Sequence, residues 1–179
     1  GPLATYRNGP VSSNVRPQMI RPSPSHRVSF ETIRALAIEC HALDVSGGTL
    51  FVTGTHSPSR STGIAYEELV SAKLLMLAVS IRTKFYQGLP WQDTDKYVNP
   101  SGFLDYIRNG VEESKIFTIK DVCDKIIHAE SIDREIDGSK FGHTTSLHGN
   151  DRKMKWTLHI SVSLFAEGIL NWLDEIPEA

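Results

Sequence analysis

Apolar residues recur at helical steps in four stretches of the chain and alternate at strand steps in two. After Ser29, a suitable N-cap, Phe30, Ile33, Ala37 and Cys40 form one buried stripe, predicting a helix that ends near Asp44, before Gly47-Gly48. The strongest helix is expected from Ala65 to Tyr86, where Tyr66, Leu69, Val70, Leu74, Leu77, Ile81 and Phe85 recur and Leu75 and Val79 widen the apolar face. Thr118 and Asp121 make a capping box, so a third helix is predicted from Ile119 to about Ala129, with Ile119, Val122, Cys123 and Ile126 inward. A last helix begins near Ser163 and buries Phe165, Ile169 and Trp172 before Pro177.

Two further segments alternate. Ile132, Arg134 and Ile136 form one, and Met154, Trp156, Leu158, Ile160 and Val162 the other, predicting a pair of antiparallel strands. The Gly, Ser, Thr and His residues between Asp137 and Lys153 read as a long connection. A short helix is expected from Gly102 to Asn109, with Ser101 as cap and Gly110 as stop. Thr49–Thr53 reads as a short strand and 56–63 as a polar loop. The expected fold is therefore mainly α, a bundle of about four helices with a two-stranded antiparallel β insertion.

At 179 residues the chain suits one well-buried core. Five prolines in residues 1–27 mark a flexible arm, and Gly1-Pro2-Leu3 reads as the remnant of a purification tag. Residues 28–179 are then a single helical domain, with the β hairpin near 131–162. Hydrophobic residues at 40 % and charged residues at 22 % place the chain with folding domains rather than disordered ones. A formal net charge of -2 gives no general pull toward phosphate, so any nucleic-acid contact must come from a local patch. The apolar run Leu74–Ile81 is far shorter than the roughly 20 residues of a membrane span. No secretory signal is recognisable either, and the cytoplasm is the expected compartment. Cys40 and Cys123 lie in apolar helical runs and are expected as buried, reduced thiols.

The helix from Ile119 to about Ala129 carries the sharpest candidate chemistry. Asp121, Asp124 and His128 stand at i, i+3 and i+7, on one polar face opposite the isoleucines. A carboxylate one turn before a histidine can orient its ring and favour its protonated form, which suits proton transfer near neutral pH. The plain structural alternative is an exposed Asp124–His128 pair at a helix end, where a cationic histidine complements the dipole. His143, His148 and His159 invite a metal site with His128, but their spacing matches no usual zinc pattern, so neither metal nor cofactor is expected. Trp91, Tyr97, Phe103 and Tyr106 are expected to pack into the core, with base stacking as the functional alternative.

Asp124-Lys125-Ile126-Ile127-His128-Ala129 resembles the end of the Arg-Asn-Lys-Ile-x-His signature of HEPN-type domains. The resemblance implies an all-helical core that pairs with a second copy, bringing two histidine-bearing helices together to cleave RNA without metal. It would make the chain part of a bacterial toxin or defence system, with a protein partner encoded nearby. By position, His128 matches the histidine and Asp124 the polar residue after the arginine. Cys123 stands where the arginine belongs, and a thiol cannot stabilise charge building on phosphorus. Arg82, off the apolar stripe of the central helix, is the candidate replacement cation, with a surface ion pair as its structural alternative. Lys120 and Lys125 read as solvated. The sequence thus points to a HEPN-like protein that binds RNA or cleaves it weakly, through His128, Asp124 and Arg82. The competing reading is a non-catalytic module that binds another protein.

Overall fold

A computed structural model describes residues 28–87, 101–136 and 143–175, and the proposed tag remnant and arm lie outside them. Helix α1 (Phe30–Gly48) starts where Ser29 accepts the Thr32 N–H at 3.1 Å. It runs on into a π-helical turn, Thr49–Thr53, in place of the predicted strand, because Gly48 keeps right-handed helical angles (φ -61°, ψ -45°) and the chain never turns outward. Helix α2 (Arg60–Tyr86) begins five residues before the predicted start, capped by Ser59. The helical run Phe30–Thr53 is, by length and composition alone, apolar enough to cross a bilayer, which the sequence reading overlooked. Here it packs Ile33, Leu36, Ala37 and Cys40 into the core and leaves Ile38, Val45, Leu50 and Val52 exposed.

The expected two-stranded insertion is contradicted by a five-stranded antiparallel sheet. Its strands are β1 (Phe103–Arg108), β2 (Val111–Glu112), β3 (Ser131–Glu135), β4 (Thr144–Asp151) and β5 (Met154–Ser161), in the order β2-β1-β5-β4-β3. The segment expected as a short helix is β1. Asn109-Gly110, with φ of 52° and 78°, is the Asn-Gly turn of a tight hairpin rather than a helix stop. β4 occupies eight residues of the supposed loop and separates the two strands expected to pair. Its core-facing residues are Thr145, Leu147 and Gly149, so only Leu147 announces a buried strand. Gly149 is required there, since a Cβ would lie 2.2 Å from the Trp156 ring.

Helix α3 (Ile119–His128) and α4 (Val162–Asp174) complete the chain. Leu147, Trp156, Leu158 and Ile160 from the sheet join Leu74, Leu77 and Ile81 of α2, Val122 and Ile126 of α3 and Phe165, Ile169 and Trp172 of α4 in one core. Full burial of each such side chain contributes roughly 1.5–3 kcal/mol before entropy is counted. The other sheet face is polar, because residues alternate across the pleat. Both cysteines are free and buried, and burial pushes the Cys40 thiol up to about 12.

One polar network is sealed inside. Asp44 of α1 and Arg134 of β3 pair at 2.7 Å with side chains 0 % and 1 % exposed. Arg134 also donates to Thr145 at 2.7 Å and to the Tyr66 hydroxyl at 3.1 Å, while Tyr66 donates to the Leu43 carbonyl at 2.6 Å. Asp44 further accepts the Ser163 backbone N–H at 2.8 Å and the Ser163 hydroxyl, placing a carboxylate at the start of α4.

Candidate functional site

The site grows from α3, which the capping box holds at its start. Asp121 N–H donates to the Thr118 hydroxyl at 3.2 Å, and Thr118 N–H donates to the Asp121 carboxylate at 3.1 Å. Asp121 is thereby committed to the cap. With Ile119, Val122, Cys123 and Ile126 buried, the helix turns Asp124, Lys125 and His128 toward the rim of the sheet.

Packing of α2 against α3 brings Arg82 to Asp124, Nε to Oδ1 2.7 Å. The Arg82 side chain is only 15 % exposed, its guanidinium lying 5.0 Å from the Tyr86 ring centroid and 6.0 Å from that of Phe85. Two of the sequence-predicted site residues therefore meet, in the ion pair that is the structural alternative for Arg82. Arg82 neutralises Asp124, and the described contacts of the Asp124 carboxylate run to Arg82 rather than to His128.

His128 is exposed in the last turn of α3, at a cleft of about 370 Å³ that Asp124, Lys125, Asn150, Asp151 and Trp156 also line. Lys125, read as solvated in the sequence, is the cation of this cleft. Its Nζ stands 4.2 Å from the Trp156 ring centroid and 3.3 Å from the Tyr106 hydroxyl. Burial lowers its pKa, with Asp151 pulling the other way. Arg82 does not line the cleft; it stands behind it.

A second cleft of about 240 Å³ adjoins the first, sharing Asn150 and Trp156 and adding His148, Lys155, Thr157 and Ser131 among its walls. His148 bridges Thr157 at 2.9 Å and Asp133 at 2.9 Å across three strands. His159 likewise joins Ser146 at 2.7 Å and approaches Asp105 at 3.6 Å. The sequence reading missed both sets, whose only signal is that the members occupy outward positions of alternating strands. The strand backbone around Ser146 is committed to the sheet ladder, so it offers no oxyanion hole, and these are cross-strand pairs. His143 is buried, and among the described residues no three His, Cys, Asp or Glu side chains are placed to share a metal ion. Phe103 and Tyr106 pack on Phe117 at 5.2 and 5.0 Å, as core residues, and Trp91 and Tyr97 lie outside the described residues.

The fold and site together define an α+β domain with a small polar cleft, lined by Lys125 and His128 and by the carboxylates of Asp124 and Asp151, between a helix end and a sheet rim. No family model, no curated protein and no solved structure matches the chain.

Proposed function

We propose that this chain is a HEPN-like RNA-binding protein that cleaves the RNA backbone weakly and without metal, at the cleft of His128. The observation that carries the reading is one cleft lined by both His128 and Lys125, in which one of the two lining carboxylates, Asp124, is paired to Arg82 at 2.7 Å and the other, Asp151, stands at the hairpin end. A phosphodiester entering there meets an imidazole able to take the ribose 2′-proton and an ammonium able to hold the charge that builds on phosphorus. Without Arg82, the Asp124 charge would repel it. The 2′-oxygen displaces the 5′-oxygen, leaving a 2′,3′-cyclic phosphate. A second imidazolium, from a second copy in a homodimer, would protonate the departing oxygen.

The test is incubation of a labelled RNA pool in chelator with the wild-type protein, His128→Ala and Lys125→Gln. Cyclic-phosphate ends produced by the wild type and lost in both variants are the expected result. Equal cleavage by His128→Ala overturns the reading.

A second reading, a non-catalytic module that binds another protein, is favoured by the apolar side chains exposed along α2. Leu69, Leu75, Met76 and Val79 are all exposed among the described residues, and Tyr86 is 82 % exposed. Wild-type protein that neither binds nor cleaves RNA would favour it.

A further inference from the structure

The two tight turns at the rim of the sheet solve one geometric problem with different residues. In each, two residues join paired strands, Arg108 to Val111 and Asp151 to Met154, and both central residues take left-handed backbone angles. The β1–β2 turn uses Asn109 and Gly110, the pair that tolerates this conformation best. The β4–β5 turn uses Arg152 (φ 48°) and Lys153 (φ 68°), whose Cβ atoms crowd the backbone there. A strained choice that the neighbouring turn avoids points to the side chains themselves.

Those side chains are free cations. Arg152, Lys153 and Lys155 are exposed, and none forms an ion pair among the described residues. Their position is also specific. Asn150 and Asp151, at the end of β4, line the His128 cleft, while Asn150 and Lys155 line the adjoining one. The tip therefore stands beside both clefts, and Asn109 N–H donates to the Lys155 carbonyl at 2.8 Å, fixing the neighbouring turn against it.

We infer that the β4–β5 tip is a second anchoring point for single-stranded RNA, where Arg152, Lys153 and Lys155 hold phosphates flanking the one at His128. This rests on the RNA reading of the cleft and adds a requirement to it: the substrate is a strand long enough to reach the tip, not a single nucleotide. Phosphate contacts of this kind position a strand without reading its sequence, so the tip sets affinity and salt dependence.

The experiment is Arg152→Asn/Lys153→Gly, which gives this turn the residues of its neighbour. It removes two cations while relieving the backbone, so a lower affinity cannot be blamed on a damaged fold if the thermal midpoint is unchanged or raised. Binding of a labelled single-stranded RNA is followed against salt for wild type, the double variant and His128→Ala, with a polyglutamate peptide in parallel. Two lost phosphate contacts reduce the slope of log K against log salt by about 1.4 and weaken binding about 25-fold at 0.1 M salt. His128→Ala should lose cleavage. Unchanged affinity and slope in the double variant, with wild-type binding intact, overturn the tip and leave the cleft reading standing. Absence of RNA binding in the wild type overturns both. Preferential binding of polyglutamate, lost in the double variant, overturns the RNA assignment in favour of an acidic protein.

Discussion

Asp44→Ala should be among the most damaging single changes in this domain. The Asp44 carboxylate accepts from Arg134 at 2.7 Å, from the Ser163 backbone at 2.8 Å and from the Ser163 hydroxyl, all beyond reach of water. Truncation strands the Arg134 cation, whose Nε already has no hydrogen-bond partner, and takes the acceptor from the Ser163 N–H in the first turn of α4. Removing one member of a buried pair costs about 3–5 kcal/mol, which for a domain of this size lowers the thermal midpoint by roughly 6–20 °C. Replacing both partners, as Asp44→Leu/Arg134→Met, should recover most of the loss, because an apolar pair leaves no uncompensated charge. Urea unfolding followed by tryptophan fluorescence, completed as a double-mutant cycle, measures the coupling. If Asp44→Ala unfolds within about 1 kcal/mol of wild type, the buried pair does not exist as described.

Four smaller perturbations test other parts of the structure. Gly149→Ala pushes a methyl into the Trp156 ring and should destabilise by about 1–3 kcal/mol while disturbing both clefts, seen as a shift in tryptophan emission. Thr118→Ala removes the capping box of α3 and should cost about 1 kcal/mol in urea unfolding. Arg82→Gln should destabilise by about 1–3 kcal/mol, its side chain being only 15 % exposed, and weaken RNA binding, because it exposes the Asp124 charge; unchanged affinity would refute the neutralising role. Alkaline stability should fall as pH rises from 9 toward 12: the buried Cys40 thiol titrates near 12 when folded and near 9.0 when unfolded, so the native state gives up its proton last. Burial raises Tyr66 and Tyr106 in the same sense, and Cys40→Ala should flatten the decline in a pH series of unfolding midpoints.

The helices were legible in the sequence because each carries its apolar face in its own residues. Ser29 and Thr118 mark starts, and Ile33, Leu74, Ile126 and Phe165 mark inward faces, all without reference to the rest of the chain. Much of the sheet was not legible, because what makes its strands lies elsewhere. β4 presents Thr145 and Gly149 to the interior, and each is explained only by a partner distant in sequence: Arg134 bonds to Thr145, and the Trp156 indole covers Gly149. β1 reads as a helix from Gly102 to Asn109 in the sequence because Gly110 suits a helix stop as well as it suits an Asn-Gly hairpin turn. The site was half legible. The approach of Arg82 to α3 could be expected from a cation off the apolar stripe, whereas its choice of Asp124 and the stacking of Lys125 on Trp156 depend on packing that no local pattern encodes.

The sheet also changes what the resemblance to all-helical domains can mean for His128. Helix α3 ends at His128 and passes through Ala129 to Glu130, whose N–H donates to the His148 carbonyl of β4 at 2.8 Å before β3 begins at Ser131. Only two residues separate the histidine from the ladder, so the edge of β4 fixes the helix end. The opposite wall of the cleft, Asn150, Asp151 and Trp156, belongs to the hairpin of β4 and β5. In an all-helical core a second helix would have to supply that wall. Here the β4–β5 hairpin supplies it within one chain, and any chemistry at His128 is tied to the integrity of the sheet as closely as to the helix that carries it.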